Sequence, residues 1–243
     1  MKRFSISTDD RVIDYEIVHR PAVKRRIHLE LGENGQLRVV APRRMSRRAI
    51  QSALQQRAHH VARFLVKARS RQQAIPVFNY VDGEQHLFMG QWYPLKIRHQ
   101  SGRSVSVERS AGALQVLSPC ADSASIRGGL VNWYRQQAAS LFSDRLAFFT
   151  RVAPWTRGVS APMRLRLMKR TWGSCSSKGV ITLNPHLVKA PPRCIDYVIA
   201  HEICHLKEHN HGRGFYVLQE QLYPGWREAK AHLRGNGHIY LHG

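Results

Sequence analysis

The sequence is short of acid: its 243 residues hold 16 Asp and Glu against 38 Lys and Arg, a formal net charge of +22. It is also short of cysteine. Cys120, Cys175, Cys194 and Cys204 are the whole complement and no two form a CxxC pair, which argues against an all-cysteine zinc site, a thioredoxin-type motif and a disulfide framework, and suits a reducing compartment. No stretch approaches the ~18 apolar residues of a membrane span, and Met1–Asp10 lacks the apolar core of a secretory signal. The expectation is a cytoplasmic protein with no membrane partner. There is no P-loop, no GxGxxG and no GxSxG, so nucleotide binding through those devices and α/β-hydrolase chemistry have no support. The sequence shows no internal repeat or low-complexity segment, which excludes a solenoid.

What is present suffices for a folded protein. Hydrophobic residues make up 43% and charged residues 22%, and a chain of this length buries roughly 70–75% of its unfolded surface, as one large domain or two small ones. The basic excess is heaviest at the start: residues 1–80 carry 17 basic against 6 acidic, 81–160 carry 9 against 5, and 161–243 carry 12 against 5. Such a balance favours polyanionic partners, namely nucleic acid, nucleotides or anionic surfaces, although plain solubility is served by the same charge.

Periodicity predicts an α+β protein. Val12–Val18, Arg26–Leu31 and Leu37–Val40 alternate as strands, the last two around a Gly32–Gly35 turn. Pro42 ends that run and Ser46 caps one long basic helix over 47–71, with Ile50, Leu54, Val61 and Leu65 set among Arg, Lys and Gln. A second group of short antiparallel strands, Gln85–Phe88, Trp92–Ile97, Val105–Val107 and Leu114–Leu117, lies between the turn glycines Gly83, Gly90, Gly102 and Gly112. Asp122 caps a helix to about Val152, and Pro154–Pro162 reads as a linker. Met163–Thr171 and Val180–Leu183 follow as a strand pair, and Pro191-Pro192 opens the next helix. The expected division is an N-terminal antiparallel β-rich region over 1–120 and an α+β catalytic domain over 121–243.

That last helix carries His201-Glu202-Ile203-Cys204-His205, an HExxH pattern. At about 100° per residue the two histidines lie about 40° apart on one face, so both imidazoles can reach one metal ion. With 14 histidines in the chain, chance alone gives roughly a 3% probability of such a match. Position decides against chance: Ile195, Val198, Ile199 and Leu206 form an apolar stripe, and Glu202 falls inside it, where a structural helix carries Leu. A carboxylate buried there costs several kcal/mol without a cationic partner, either an arginine or a metal-bound water.

Catalytic zinc takes three protein ligands and keeps one open position. His211 is the choice for the third, because Asn210 tolerates the left-handed conformation that ends a helix and turns the chain back. His209, Glu220 and Glu228 are competitors, whereas His238 and His242 read as an exposed tail. Three imidazoles on zinc lower the pKa of bound water, and Glu202 takes its proton and delivers it to the leaving group. Arg170 and Tyr216 are near enough in sequence to be considered for transition-state stabilisation. Cys204, turned away from His201, reads as a small buried residue, and Cys175 as a packed turn residue. The strand pair before the helix offers an edge for an extended peptide, but a hairpin packed on the helix predicts the same sequence.

Trp172-Gly173-Ser174-Cys175, Asn184, Asp196-Tyr197-Val198, the HExxH residues, Asn210-His211 and Phe215 resemble the YgjP-like family of metal-dependent hydrolases, related to SprT-like and WLM metallopeptidases. The resemblance extends back through Ala41-Pro42 and Gly83 to Gly90 and forward through Pro224 and Trp226. Ile203 stands where the family commonly has Leu, and Gly212 where Ser often follows the third histidine. The resemblance implies a zincin-like catalytic region with His201, His205 and His211 as metal ligands and Glu202 as base. It implies a zinc-dependent hydrolase of metallopeptidase type, with one zinc ion per chain and a peptide or protein substrate, and its SprT-like side suggests recruitment to nucleic acid. The alternatives are a hydrolase of a nucleotide phosphoanhydride and a basic nucleic-acid-binding protein with a structural metal.

Overall fold

A computed structural model describes residues 3–8, 12–32, 35–73, 76–102, 104–120, 122–157, 161–169 and 171–241. The protein is α+β, and its chain divides into two units, Met1–Ile75 and Pro76–Gly243. In the first, β1 (Arg3–Ser7), β2 (Val12–His19), β3 (His28–Leu31) and β4 (Leu37–Ala41) form one sheet in the order β1-β2-β4-β3. The outer pairs are antiparallel, but β2 and β4 run parallel, with Tyr15 opposite Leu37 and His19 opposite Ala41. An all-antiparallel region was the expectation; alternation sets which face is buried and is silent on strand direction. Ile6, Ile13, Tyr15, Leu37 and Val39 bury against Ile50 and Leu54 of α1 (Arg47–Gln55) and Val61 and Leu65 of α2 (Ala58–Gln73). Ser46 Oγ accepts from Ala49 N at 3.3 Å and caps α1. The single helix expected over 47–71 is therefore two, separated at Gln56-Arg57. The four apolar residues recur at helical intervals across the break, which hides it from the pattern.

The second unit opens on β5 (Gln85–Phe88), β6 (Gln91–His99), β7 (Ser106–Ser110) and β8 (Ala113–Ser118), again a four-stranded sheet, in the order β5-β6-β8-β7. Its pairings repeat those of the first sheet: β6 and β8 are parallel, with Leu95 opposite Leu114 and His99 opposite Ser118, and the outer pairs are antiparallel. The agreement is close in detail. Arg20 N donates to Ala41 O at 3.2 Å, and Gln100 N donates to Ser118 O at 3.0 Å. Gly35 and Gly112, each two residues before the matching leucine, have φ of 73° and 72°. In each copy a proline follows the last strand, then a cap (Ser46, Asp122), then isoleucine and leucine at successive four-residue steps (Ile50 and Leu54, Ile126 and Leu130). The chain thus contains a ββββα duplication that the sequence does not show, because only face-setting and turn positions are shared.

Behind this sheet runs α3 (Ser123–Val152), and the remainder is a short three-stranded sheet with three more helices. β9 (Met163–Leu165) lies parallel to β11 (Ile181–Leu183), and β10 (Gly173–Cys175) antiparallel to it, so the expected strand pair is a three-stranded sheet in the order β10-β11-β9. Short 3-10 turns span Pro154–Thr156 and Pro185–Lys189, followed by α4 (Pro192–Cys204), α5 (Arg213–Leu222) and α6 (Trp226–Tyr240). Leu95, Leu114 and Val116 share one core with Ile126, Trp133 and Phe142 of α3 and with Ile195, Ile199 and Ile203 of α4. The boundary expected at 120/121 falls inside this unit: local structure changes there from strand to helix, but the apolar faces on its two sides bury each other. No described helix is long and apolar enough to cross a membrane.

Candidate metal centre

The helix that carries HExxH is fixed from both ends. Pro192 occupies its first turn, where the missing N–H costs nothing. Just before it, Met89 N and Gly90 N of the β5–β6 turn donate to Val188 O and Lys189 O, both at 2.9 Å. Gly90 is required by that approach: its φ is +80°, and a Cβ would stand 2.8 Å from Pro191 Cγ. Along the helix, Asp196 accepts both guanidinium bonds of Arg145 from α3, at 2.6 and 2.7 Å. At its far end Trp155 Nε1 donates to Ile203 O at 3.1 Å, a last-turn carbonyl that Leu206 N also reaches at 3.1 Å.

α4 stops at Cys204, with His205 at its C-cap in a right-handed conformation, and Glu208 N closes onto Cys204 O at 2.9 Å. The chain therefore turns back several residues earlier than Asn210, which does not have the positive φ expected of it. The turn returns His211 to the helix, and α5 starts immediately afterwards.

His201, His205 and His211 are brought together, with one potential ligand atom of each lying within 4.8 Å of the others. Among the described residues this is the only such cluster of His, Cys, Asp and Glu. In His201 and His205 the ring N–H points away from its centre. His205 Nδ1 lies 2.9 Å from the Glu208 carbonyl, which can only accept, so Nδ1 carries the hydrogen and Nε2 a bare lone pair. His201 Nδ1 lies 3.1 Å from Gln219 Oε1, and with the amide oxygen facing the ring the same tautomer follows. His201 Nε2 and His211 Nε2 then face each other at 3.0 Å. Burial, with His205 and His211 close by, pushes His201 down to about 3, so it is neutral at physiological pH. Burial, followed by His205, also lowers His211. Three converging imidazoles, two of them with Nδ1 tied to an outer acceptor, form a donor set suited to a divalent transition metal.

Glu202 is 4% exposed, and its Oε2 is buried with no hydrogen-bond partner among the described residues. Burial pushes its pKa up to about 8. The alternative of an arginine ion pair is not found among the described residues, and an orphaned buried carboxylate one residue from a histidine cluster fits a nearby cation. Gly173 of β10 covers it: a Cβ there would stand 2.5 Å from Glu202 Oε1 and 2.8 Å from its Cγ.

The family model of the YgjP-like metallopeptidase domain matches residues 25–236. The chain belongs to the YgjP-like family. It is accordingly of metallopeptidase type, a metal-dependent hydrolase. No curated protein matches it. Two solved structures are similar over part of the chain, both metallopeptidase zymogens. Abylysin of Pyrococcus abyssi is 29% identical at a TM-score of 0.33, covering 37% of this chain and 86% of that one. Jannalysin of Methanocaldococcus jannaschii is 21% identical at 0.34, covering 38% and 93%.

Around the cluster of this YgjP-like chain stand residues to which sequence reasoning assigned no part in the site, Phe215 having entered only through the family resemblance. Gln219, wholly buried on α5, and the Glu208 carbonyl orient two of the histidines. Phe215, also wholly buried, packs its ring 4.8, 4.6 and 4.6 Å from the rings of His201, His205 and His211. The apolar stripe of α5 (Phe215, Leu218) was the available signal; Gln219 beside it was the anomaly. Tyr216 is 6.4 Å from His211, ring to ring, and stacks on Trp226; Arg170 lies outside the described residues. His209 is exposed and outside the cluster, Glu220 accepts from Trp226 Nε1 and Arg227, and Glu228 is exposed on α6. Cys204 is wholly buried, as expected, and Cys175 is half-buried in β10 rather than in a turn. His238 sits half-buried in α6, so that segment is helix and no exposed tail, while His242 lies outside the described residues.

Proposed function

We propose that the chain is a zinc metallopeptidase in which His201, His205 and His211 hold one zinc ion and Glu202 is the general base. The observation that carries this reading is the convergence of three imidazoles, two of which, His201 and His205, have Nδ1 held outward on an oxygen acceptor, beside a buried carboxylate with an orphaned oxygen. A zinc ion bound there supplies positive charge that acidifies water and polarises a scissile carbonyl. Glu202 accepts a proton at its free oxygen and returns it to the departing amine. Gln219 and the Glu208 carbonyl keep the rings in their liganding tautomers, and Phe215 closes the floor against water. The free cysteines suit a reducing, cytoplasmic setting.

Elemental analysis of untagged protein tests the site. About one zinc per chain is expected in the wild type, a clear loss in His211→Ala, and retention in Glu202→Gln with peptide hydrolysis abolished. Offering unfolded protein and a nucleoside triphosphate side by side tests the substrate class: consumption of the nucleotide alone, or full turnover by Glu202→Gln, overturns the reading.

A further inference from the structure

The ββββα duplication makes the molecule its own control. Both copies have the same strand order, the same parallel central pair and the same capped helix after the last strand. The helical parts differ sharply. In the second copy α3 holds four basic residues and one acidic residue in 30, and buries Ile126, Leu130, Trp133, Tyr134, Phe142 and Leu146. In the first copy, residues 43–73 hold nine basic residues and no acidic one, and the acid-free stretch runs from 34 to 81. The charge is thus no requirement of the module; it belongs to one copy.

We propose that the α1–α2 face of the first unit is a docking surface for double-stranded nucleic acid, gripped through its phosphate backbone. Arg43, Arg44, Arg48, Arg63, Lys67 and Arg69 are all exposed there. Among the described residues, Glu16 pairs with Arg38 and Glu30 with Arg20, cations that lie outside α1 and α2. Arg48 also lines a shallow concavity of about 500 Å³ with Gln51, Ser52, Gln55 and Gln56 along α1, side chains that add polar donors beside the charge.

The chemistry favours a phosphodiester polymer over other anions. Arginine outnumbers lysine eight to one in 43–73, and the guanidinium fork binds phosphate oxygens in pairs where an ammonium acts as a point charge. A membrane-lying helix also needs apolar anchors opposite its cations. The exposed residues of α1 are Arg47, Arg48, Ala49, Gln51, Ser52 and Gln55; on α2 Val66 is the one large apolar side chain exposed, while Ile50, Leu54, Val61 and Leu65 are consumed by the core of the unit. Unpaired bases are held by exposed aromatic platforms; the one Phe, Tyr or Trp of the two helices, Phe64, is half-buried and packed on the core, and the exposed rings of His59 and His60 meet edge to face, 4.5 Å apart. A duplex needs only a comb of cations.

The proposal is independent of the peptidase reading and is tested by binding alone. Anisotropy of a short labelled DNA duplex is followed with the full-length protein from about 50 to 200 mM salt. The triple variant Arg48→Gln, Arg63→Gln, Lys67→Gln is compared with the control Lys96→Gln, Arg98→Gln, Arg151→Gln, which removes equal charge from exposed positions of the second unit. The first should lose about tenfold or more in affinity and flatten the log–log salt slope by about 2 to 3, at ~0.9 per phosphate contact. The control should stay within about twofold. Circular dichroism checks that each variant folds. Equal losses in both variants make net charge the cause and overturn the surface, as does no binding by the wild type at the lowest salt. Tighter binding to phosphatidylserine vesicles or to poly-glutamate than to the duplex overturns the choice of partner.

Discussion

Glu202 shows how much of a site one residue carries and how little of that its own position reveals. The sequence makes it conspicuous, a carboxylate in an apolar stripe, and the spacing around it names His201 and His205 at once. What lies over it is invisible in sequence, since Gly173 reaches it only when β10 is laid across α4. Because a Cβ at 173 would stand 2.5 Å from Oε1, Gly173→Ala must displace either the carboxylate or the strand. We expect kcat to fall by about 100-fold, the scale set by a misplacement of about 1 Å, with zinc content unchanged by elemental analysis; wild-type turnover in this variant would show that the contact does not position the base. Gln219 was equally illegible, for it is chosen by where α5 packs. Gln219→Leu keeps the volume and removes the acceptor from His201 Nδ1, and should weaken zinc binding by about 10–100-fold in a competitive chelator titration. An unaltered zinc affinity would leave Gln219 as packing only.

Elements were legible where pattern and burial agree. β2, β4, α3 and α4 each have one apolar face, α3 opens on the cap Asp122 and α4 on Pro191-Pro192, and all were expected close to where they lie. β10 was missed because Gly-Ser-Cys is three residues long and has no alternation to detect; it exists by pairing with β11. α4 was legible as a helix, but its clamps were not: the Arg145–Asp196 pair links residues 51 apart in sequence. With side chains 33% and 18% exposed, the pair is partly screened. Arg145→Met should cost about 1–2 kcal/mol in urea unfolding, seen as a lower midpoint at constant slope. The same variant should also lower zinc affinity, because α4 carries two of the three imidazoles; loss of stability with zinc affinity untouched would separate the clamp from the site.

At the scale of the whole molecule the duplication was the largest feature that escaped the sequence. It is encoded in strand order, in two positive-φ glycines and in a few apolar positions, while everything facing solvent has diverged. The second copy has become scaffold: its β5–β6 turn braces the approach to α4, and the segment it braces ends in Lys189, which is 2% exposed with Nζ 4.6 Å from the Tyr134 ring centroid. Burial pushes that ammonium from its ordinary 10.5 down to about 7. Between those two values the unfolded chain holds a proton that the folded chain has shed, so the unfolded state binds more protons and stability rises with pH. Below about 7 both states are protonated and the slope from this group vanishes. Lys189→Met removes the titration, so the variant should be the more stable at pH 7, with its advantage shrinking toward pH 10. Fully expressed, the change amounts to a few kcal/mol, at about 1.4 kcal/mol per pKa unit. Because other titrating groups are common to both proteins, the quantity to measure is the difference between their urea midpoints across this range. Parallel midpoints would mean that Lys189 keeps its proton in the folded core, and that the burial seen in the structure is relieved by water or by a counter-charge.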